Sequence, residues 1–302
     1  MPGAWPPVRP SRVSEALDPL GLGPVDVLEN LAFDASHERP YLTGSLADGF
    51  GNARSDVDLI ILSERASEPS DRRAYALGRW IDCRVAPVDG LRHLVERCAA
   101  AAAFPERWGR SLLRYGEADA LHRCRVALPF DATATDPLVD DGAVRRALAL
   151  MHLFSARNMW FDVIGARESG QSEQCAVFLE LIRGLLFDAA AALAGETNPN
   201  RKWSRAKARR LAGSSHPALA ALPEPDCERD VDEAVMAIGD GMFALMCLLH
   251  SGREPPELPH PGFGAYYEIE GDTVFHVAAS SEKRRITMLA PENDRIDARE
   301  TR

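Results

Sequence analysis

The hydrophobic period of this chain changes from strand-like to helix-like near residue 140 and back after 262, and those changes limit the architectures open to it. Before about residue 125, apolar residues recur at two-residue spacing in short runs, with helix-like stretches between them. ERPYLTGS (38–45) reads as a strand running into a turn. DVDLIILS (56–63) reads as a strand, with Val57, Leu59 and Ile61 on one face and Ile60 and Leu62 adding apolar bulk on the other. RWIDCRVAPV (79–88) reads as another, setting Ile81, Cys83 and Val85 against Asp82 and Arg84. Helices are expected around 25–33, over 71–79 and over 91–104, and the proline-rich residues 1–24 read as a loose lead-in. From 140 the spacing becomes three and four. Residues 142–165, 173–195 and 229–252 then read as amphipathic helices joined by short polar or Gly/Pro breaks. After a Pro-rich linker (255–262), YYEIEGDTVFHVA (266–278) alternates about Gly271-Asp272, which predicts a hairpin, with a further short strand at RRITML (284–289). The expected fold class is α/β (α+β): a small mixed-sheet domain over 25–125, a helical bundle over 140–252 and a small β appendage over 263–302.

Composition narrows the function classes. With 302 residues, 46% hydrophobic and 26% charged, the chain is neither disordered, collagen-like nor a disulfide scaffold. A net charge of -10 leaves nucleic acid to a local basic patch. The six cysteines (Cys83, Cys98, Cys124, Cys175, Cys227 and Cys247) form no C-x-x-C pair, which argues against a zinc ribbon or thioredoxin-like site and fits reduced thiols. The apolar stretches 175–194 and 234–249 are interrupted by Glu180, Arg183 and Asp188 and by Asp240, and the N-terminus lacks a signal-peptide pattern. A cytoplasmic location without a membrane partner is expected. Nothing in the sequence sets an oligomeric state.

The chemistry is concentrated in Gly44-Ser45-Leu46-Ala47-Asp48-Gly49-Phe50-Gly51-Asn52-Ala53-Arg54-Ser55-Asp56-Val57-Asp58-Leu59. A glycine just after a strand lets backbone N–H groups approach a phosphate, and the Ser45 hydroxyl adds a donor. Asp56 and Asp58 are two apart, so on a strand both carboxylates leave the same face. Paired carboxylates are hard oxygen ligands suited to Mg2+, which would bridge phosphate oxygens. Asp82, on the polar face of the 79–88 strand, is the candidate third carboxylate, as metal ligand or as base toward an attacking hydroxyl. No Walker A, G-x-S-x-G, H-E-x-x-H or dinucleotide fingerprint occurs.

Gly44-Ser45, a linker of about ten residues, Ser55-Asp56-Val57-Asp58 and the later Asp82 resemble the signature of nucleotidyltransferases of the DNA polymerase β type. The resemblance covers about 40–125, and the order of a small domain followed by helices looks like the two-domain aminoglycoside- and lincosamide-modifying members. It implies transfer of a nucleoside monophosphate from an NTP, with ATP expected, to a hydroxyl of a small-molecule acceptor such as an antibiotic or biosynthetic intermediate, with release of pyrophosphate. By carry-over, Gly44, Ser45 and Ser55 hold the triphosphate, Asp56 and Asp58 hold metal (two Mg2+ ions), and Asp82 is ligand or base. An R-K-W run after a long helix looks like the element from which a lysine, here Lys202, reaches the triphosphate; a solvated basic helix face over 200–210 is the competing reading, and a nucleic-acid backbone contact a third. Modification of protein or RNA, or a non-catalytic nucleotide-binding or interaction module, are the alternatives. Trp160 and Trp203 are expected in the core rather than on a base, and Glu180 at the surface rather than beside the acceptor.

Overall fold

The computed structural model describes residues 8–31, 33–103, 113–131, 133–134, 137–223 and 230–250, together with the strands of 266–286. The described residues within Met1–Ala100, Leu113–Val144 and Asn198–Ala212 form one compact unit. Those within Ala101–Leu112, Arg145–Thr197 and Gly213–Arg302 form a second.

In the first unit the chain runs α1 (Val13–Leu17), α2 (Pro24–Glu29), β1 (Glu38–Thr43), α3 (Gly44–Ala47), β2 (Val57–Ser63), β3 (Ser70–Ala76), β4 (Arg79–Pro87), α4 (Val88–Ala103), α5 (Tyr115–Arg125) and β5 (Leu128–Pro129). The strands make one mixed sheet in the order β3-β4-β2-β1-β5. Only β2 and β4 are parallel; β1–β2, β1–β5 and β3–β4 are antiparallel. The apolar run Leu59-Ile60-Ile61-Leu62 is buried on both faces, which suits the central place of β2. One face of the sheet carries Leu42, Val57, Leu59, Ile61, Ile81, Cys83 and Val85 into a core completed by Val13, Ala16, Leu17, Val27 and Leu46.

Two sequence expectations fail here. The lead-in is not loose: Val13, Ala16 and Leu17, spaced for one helical face, are buried in that core. Residues 71–79 are not a helix but the β3–β4 hairpin. Local Ala, Leu and Arg favour helix, yet β3 pairs with β4 along its whole length, and Arg72 grips Glu38 through two hydrogen bonds of 2.8 and 3.1 Å. The turn is Leu77-Gly78, both left-handed (φ 57° and 73°), as a two-residue primed turn requires. Leucine pays a steric penalty there that asparagine largely avoids. Leu77→Asn is therefore expected to raise stability by about 1 kcal/mol, read as a higher denaturant midpoint. An unchanged or lower midpoint would show that the half-exposed leucine side chain contributes more than its backbone costs.

The second unit is built on α6 (Asp141–Glu168), whose first turn belongs to the first unit, with α7 (Ser172–Leu193), α9 (Pro217–Ala220) and α10 (Val231–His250); α8 (Ser204–Leu211) lies between α7 and α9 in sequence but in the first unit. Its core holds Leu148, Leu153, Trp160, Ile182, Leu186, Met242, Leu245 and Met246. Trp160 is thus a core residue, and Glu180 is exposed and paired with Arg183. Residues 198–212, expected within a continuous helical domain, instead belong by their contacts to the sheet unit. The strands β6 (Tyr266–Glu270), β7 (Thr273–Val277) and β8 (Lys283–Ile286) form an antiparallel sheet in sequence order; the expected turn at Gly271-Asp272 lies outside the described residues. Among the described residues no helix is long and apolar enough to cross a membrane.

Candidate functional site

Asp58 of β2 and Asp82 of β4 are direct partners in the parallel register, so their side chains leave the same face of the sheet. That face is opposite the core, because Val57, Leu59, Ile81 and Cys83 on either side of the two aspartates are buried. Asp56 lies just before β2, exposed at the end of the 51–56 loop. Thr43 of β1 is opposite Asp58 on the other side and donates its hydroxyl to the Asp58 carbonyl at 3.3 Å.

The Gly44–Ser45 turn sits against this carboxylate. Gly44 has φ 68°, and a Cβ on it would lie 2.7 Å from both Cβ and Cγ of Asp58. The missing side chain is where the aspartate packs. Gly44→Ala is expected to cost about 3 kcal/mol, combining backbone strain with overlap. Gly78→Ala is the control. Its φ of 73° is equally left-handed but nothing lies within 4 Å, so about 1 kcal/mol is expected from strain alone. Equal costs in urea unfolding would remove the Asp58 contact from the account.

The electrostatics of the face are distinctive. Burial raises the Asp58 carboxyl above its usual range, and the neighbouring Asp82 and Asp56 push it further, against the opposing Arg123 guanidinium. Arg123, on α5, approaches Asp58 at 3.5 Å and is held by Asp119 at 2.8 Å. Asp82 is ion-paired to Arg73, its antiparallel partner on β3, at 2.6 Å, and the same guanidinium stacks 4.3 Å from the centre of the Trp80 ring. A hard cation placed between Asp58 and Asp82 would offset the burial, and the lesser repulsion from neighbouring acids, that raise Asp58, so the donor chemistry of this pair fits Mg2+. Among the described residues no three acidic, histidine or cysteine side chains are drawn together tightly enough to enclose a metal, Asp56 included. Asp89, seven residues after Asp82, is exposed at the start of α4 and paired with Arg92, outside the strand register that pairs Asp58 with Asp82.

Ser55 closes the loop before β2. Its Oγ accepts the Asn52 N–H at 2.9 Å, its carbonyl accepts from Arg79 at 3.2 Å, and its hydroxyl proton is not used in the Asn52 bond. Lys202 is exposed in a 3-10 turn, Arg201–Trp203, capped by the Asn200 side chain, which accepts the Lys202 N–H at 3.1 Å. Trp203 is half-buried rather than a core residue and stacks on Phe50 with ring centroids 5.1 Å apart.

The centre that sequence reasoning missed is Asp48. Its carboxylate is fully buried one helical turn after Gly44, and its own N–H donates to the Gly44 carbonyl at 3.0 Å. Arg9 reaches it at 2.9 Å, Asn198 at 2.9 Å, His122 at 3.4 Å and Arg210 at 3.5 Å; Arg210 also donates to the Asp48 carbonyl at 2.7 Å. Burial alone would raise this carboxyl, but the His122, Arg9 and Asn198 contacts outweigh it and hold it well below the usual range. One helix, α5, thus delivers adjacent side chains to two carboxylates: His122 to Asp48 and Arg123 to Asp58. Partners at 9, 122, 198 and 210 leave no local signal around residue 48. Cysteine chemistry has no support, since burial pushes the Cys83 and Cys124 thiols up to about 12.

No protein-family model and no curated protein matches the chain. Among solved structures, it is similar to a nucleotidyltransferase-like protein from Exiguobacterium sibiricum 255-15, at 13% identity and a TM-score of 0.38, over 71% of each chain.

Proposed function

We propose that the chain transfers a nucleoside monophosphate from an NTP to a hydroxyl of a small-molecule acceptor, releasing pyrophosphate. One observation carries the reading: Asp58 and Asp82 are partners on parallel strands, with the Gly44–Ser45 turn packed directly on Asp58. Asp58 and Asp82, with Asp56 from the loop, would hold Mg2+. When bound, that ion supplies Lewis-acid polarisation of the phosphate oxygens.

The protein's own groups do the rest. Backbone N–H groups of the Gly44–Ser45 turn and the hydroxyls of Ser45 and Ser55 bind the triphosphate, and Lys202 offsets charge on the leaving pyrophosphate. Asp82, once released from Arg73, takes the proton of the acceptor hydroxyl. The acceptor oxygen forms a bond to the α-phosphorus in line, and the bond from that phosphorus to the bridging oxygen breaks. Arg123, beside Asp58, keeps that carboxylate charged and oriented.

Mg2+-dependent thermal stabilisation by each of the four NTPs tests the reading. At about 100 times its dissociation constant the donor, expected to be ATP, should add roughly 2.7 kcal/mol, and Asp58→Asn should abolish the shift. No shift with any NTP, or one that survives Asp58→Asn, would overturn it. A second reading, a nucleotide-binding module without turnover, is favoured by the pairing of Asp82 with Arg73 and of Asp58 with Arg123. Pyrophosphate release with candidate acceptors separates the two.

A further inference from the structure

We propose that Asp48 is a positioning residue for triphosphate binding: it pins the 198–212 segment, and with it Lys202, to the loop that begins at Gly44–Ser45. The inference rests on the nucleotidyl-transfer reading and adds to it the device that sets the place of Lys202.

The loop closes on itself around Asp48. The Asp48 N–H bonds the Gly44 carbonyl at 3.0 Å, and the Ser45 carbonyl accepts the N–H groups of Phe50 at 2.8 Å and Gly51 at 2.7 Å. Gly49, at φ 76°, lets the backbone of the N-terminal segment pass so close that a Cβ there would be 3.1 Å from the Arg9 Cα. From inside this loop the Asp48 carboxylate is reached from three distant parts of the chain: by two hydrogen bonds from Arg9, by His122 of α5 and by Asn198. Arg210, near the end of α8, closes the far side by bonding the Asp48 carbonyl. Both ends of the segment that carries Lys202 therefore terminate on one residue. A second anchor runs beside the first: Phe50 stacks with Trp203 at 5.1 Å, and the Arg210 guanidinium lies 4.0 Å from the Phe50 ring centre. Lys202, next to Trp203, stays exposed with its backbone fixed by the Asn200 cap.

A buried carboxylate bound by cations is a weak device for stability, since apolar side chains of similar volume often serve as well. It is a strong device for fixing directions, because each hydrogen bond sets an angle as well as a distance. At Asp48 the directions fixed are those of the phosphate-binding turn and of the segment bearing the lysine.

The test measures binding of inorganic tripolyphosphate in Mg2+, which has no base or sugar, by calorimetry. The proteins are wild type, Asn198→Ala and Arg210→Gln, each with and without Lys202→Ala, alongside hydrogen exchange of 199–211. Asn198→Ala and Arg210→Gln leave Arg9 and His122 on Asp48, so folded protein is expected even if Asp48→Asn fails to accumulate. Lys202→Ala should weaken binding about tenfold, and Asn198→Ala by a similar factor. Combined, the loss should stay at about tenfold rather than multiply to about a hundredfold, because the second change removes a lysine already displaced. Exchange over 199–211 should rise while β2 and β4 stay protected. Wild-type affinity in Asn198→Ala and Arg210→Gln, or losses that multiply, would overturn the inference. Wild-type protein that binds no tripolyphosphate sinks the nucleotidyl-transfer reading as well. Binding that is lost in Asp58→Asn but unaffected by Asn198→Ala sinks this inference alone.

Discussion

Asp48→Ala is expected to destabilise the sheet unit by about 3–5 kcal/mol at neutral pH, because it strips a buried carboxylate from its partners and leaves the Arg9 and Arg210 guanidinium groups without their counter-charge. That is a large share of the stability of an ordinary domain. The effect carries a pH signature whose sign is fixed by the direction of the shift. The Asp48 carboxyl is depressed in the folded protein, whereas in the unfolded chain it titrates near its ordinary value of 3.8. Its contribution is therefore fully present above about pH 5 and is lost as pH falls through the unfolded value toward the folded one. Urea unfolding of wild type and variant from pH 7 downward should show a gap that is constant to about pH 5 and then closes. A gap that persists unchanged into strong acid would mean that the loss comes from packing and not from the ionised carboxylate. A gap well under about 1 kcal/mol at pH 7 would mean that the cluster is as replaceable as a surface ion pair.

Asp58→Asn is expected to behave in the opposite way, folding well and failing in chemistry. The Asp58 carboxyl is raised by burial and by its acidic neighbours, so its charged form is a liability in the folded state. By the same linkage, wild-type stability should rise as pH falls through the raised value, and a neutral amide should match or exceed the wild type at pH 7. Pyrophosphate release should nevertheless fall by about 100- to 1000-fold, the range seen when one preorganised electrostatic group is removed from a reacting centre. A melting temperature at or above wild type with turnover intact would take Asp58 out of the site. A large loss of stability would make it a structural residue held by Arg123. The contrast between two carboxylates ten residues apart, one holding the fold and one strained against it, is the sharpest check on the assignment.

Much of the candidate site was legible because its determinants are local. A strand repeats every two residues, so the alternation in RWIDCRV puts Asp82 opposite Ile81 and Cys83; the same period does not reach Asp56, because β2 begins only at Val57 and leaves Asp56 in the loop. Gly44 was legible as a glycine that a turn demands. That Asp58 fills the space its side chain would occupy was not. The β3 strand was misread because its propensity is helical and its pairing partner lies beyond the Leu77-Gly78 turn. The α1 helix was missed because three apolar residues in a proline-rich stretch are too short a period to read.

The sequence by itself determined the β1, β2 and β4 strands, the helical spacing after residue 140 and the loop-to-strand segment that brings a turn to a strand carboxylate. Each of these depends on residues within a few positions of one another, where backbone geometry sets the spacing. Only the tertiary structure decided that Asp58 and Asp82 are direct partners, that Arg73 and Arg123 sit on them, and that residues 198–212 belong with the sheet through Asp48. Those contacts join parts of the chain up to 162 residues apart. Their energy comes from desolvation and mutual placement of charges in the folded interior, and neither quantity is defined until the chain has folded.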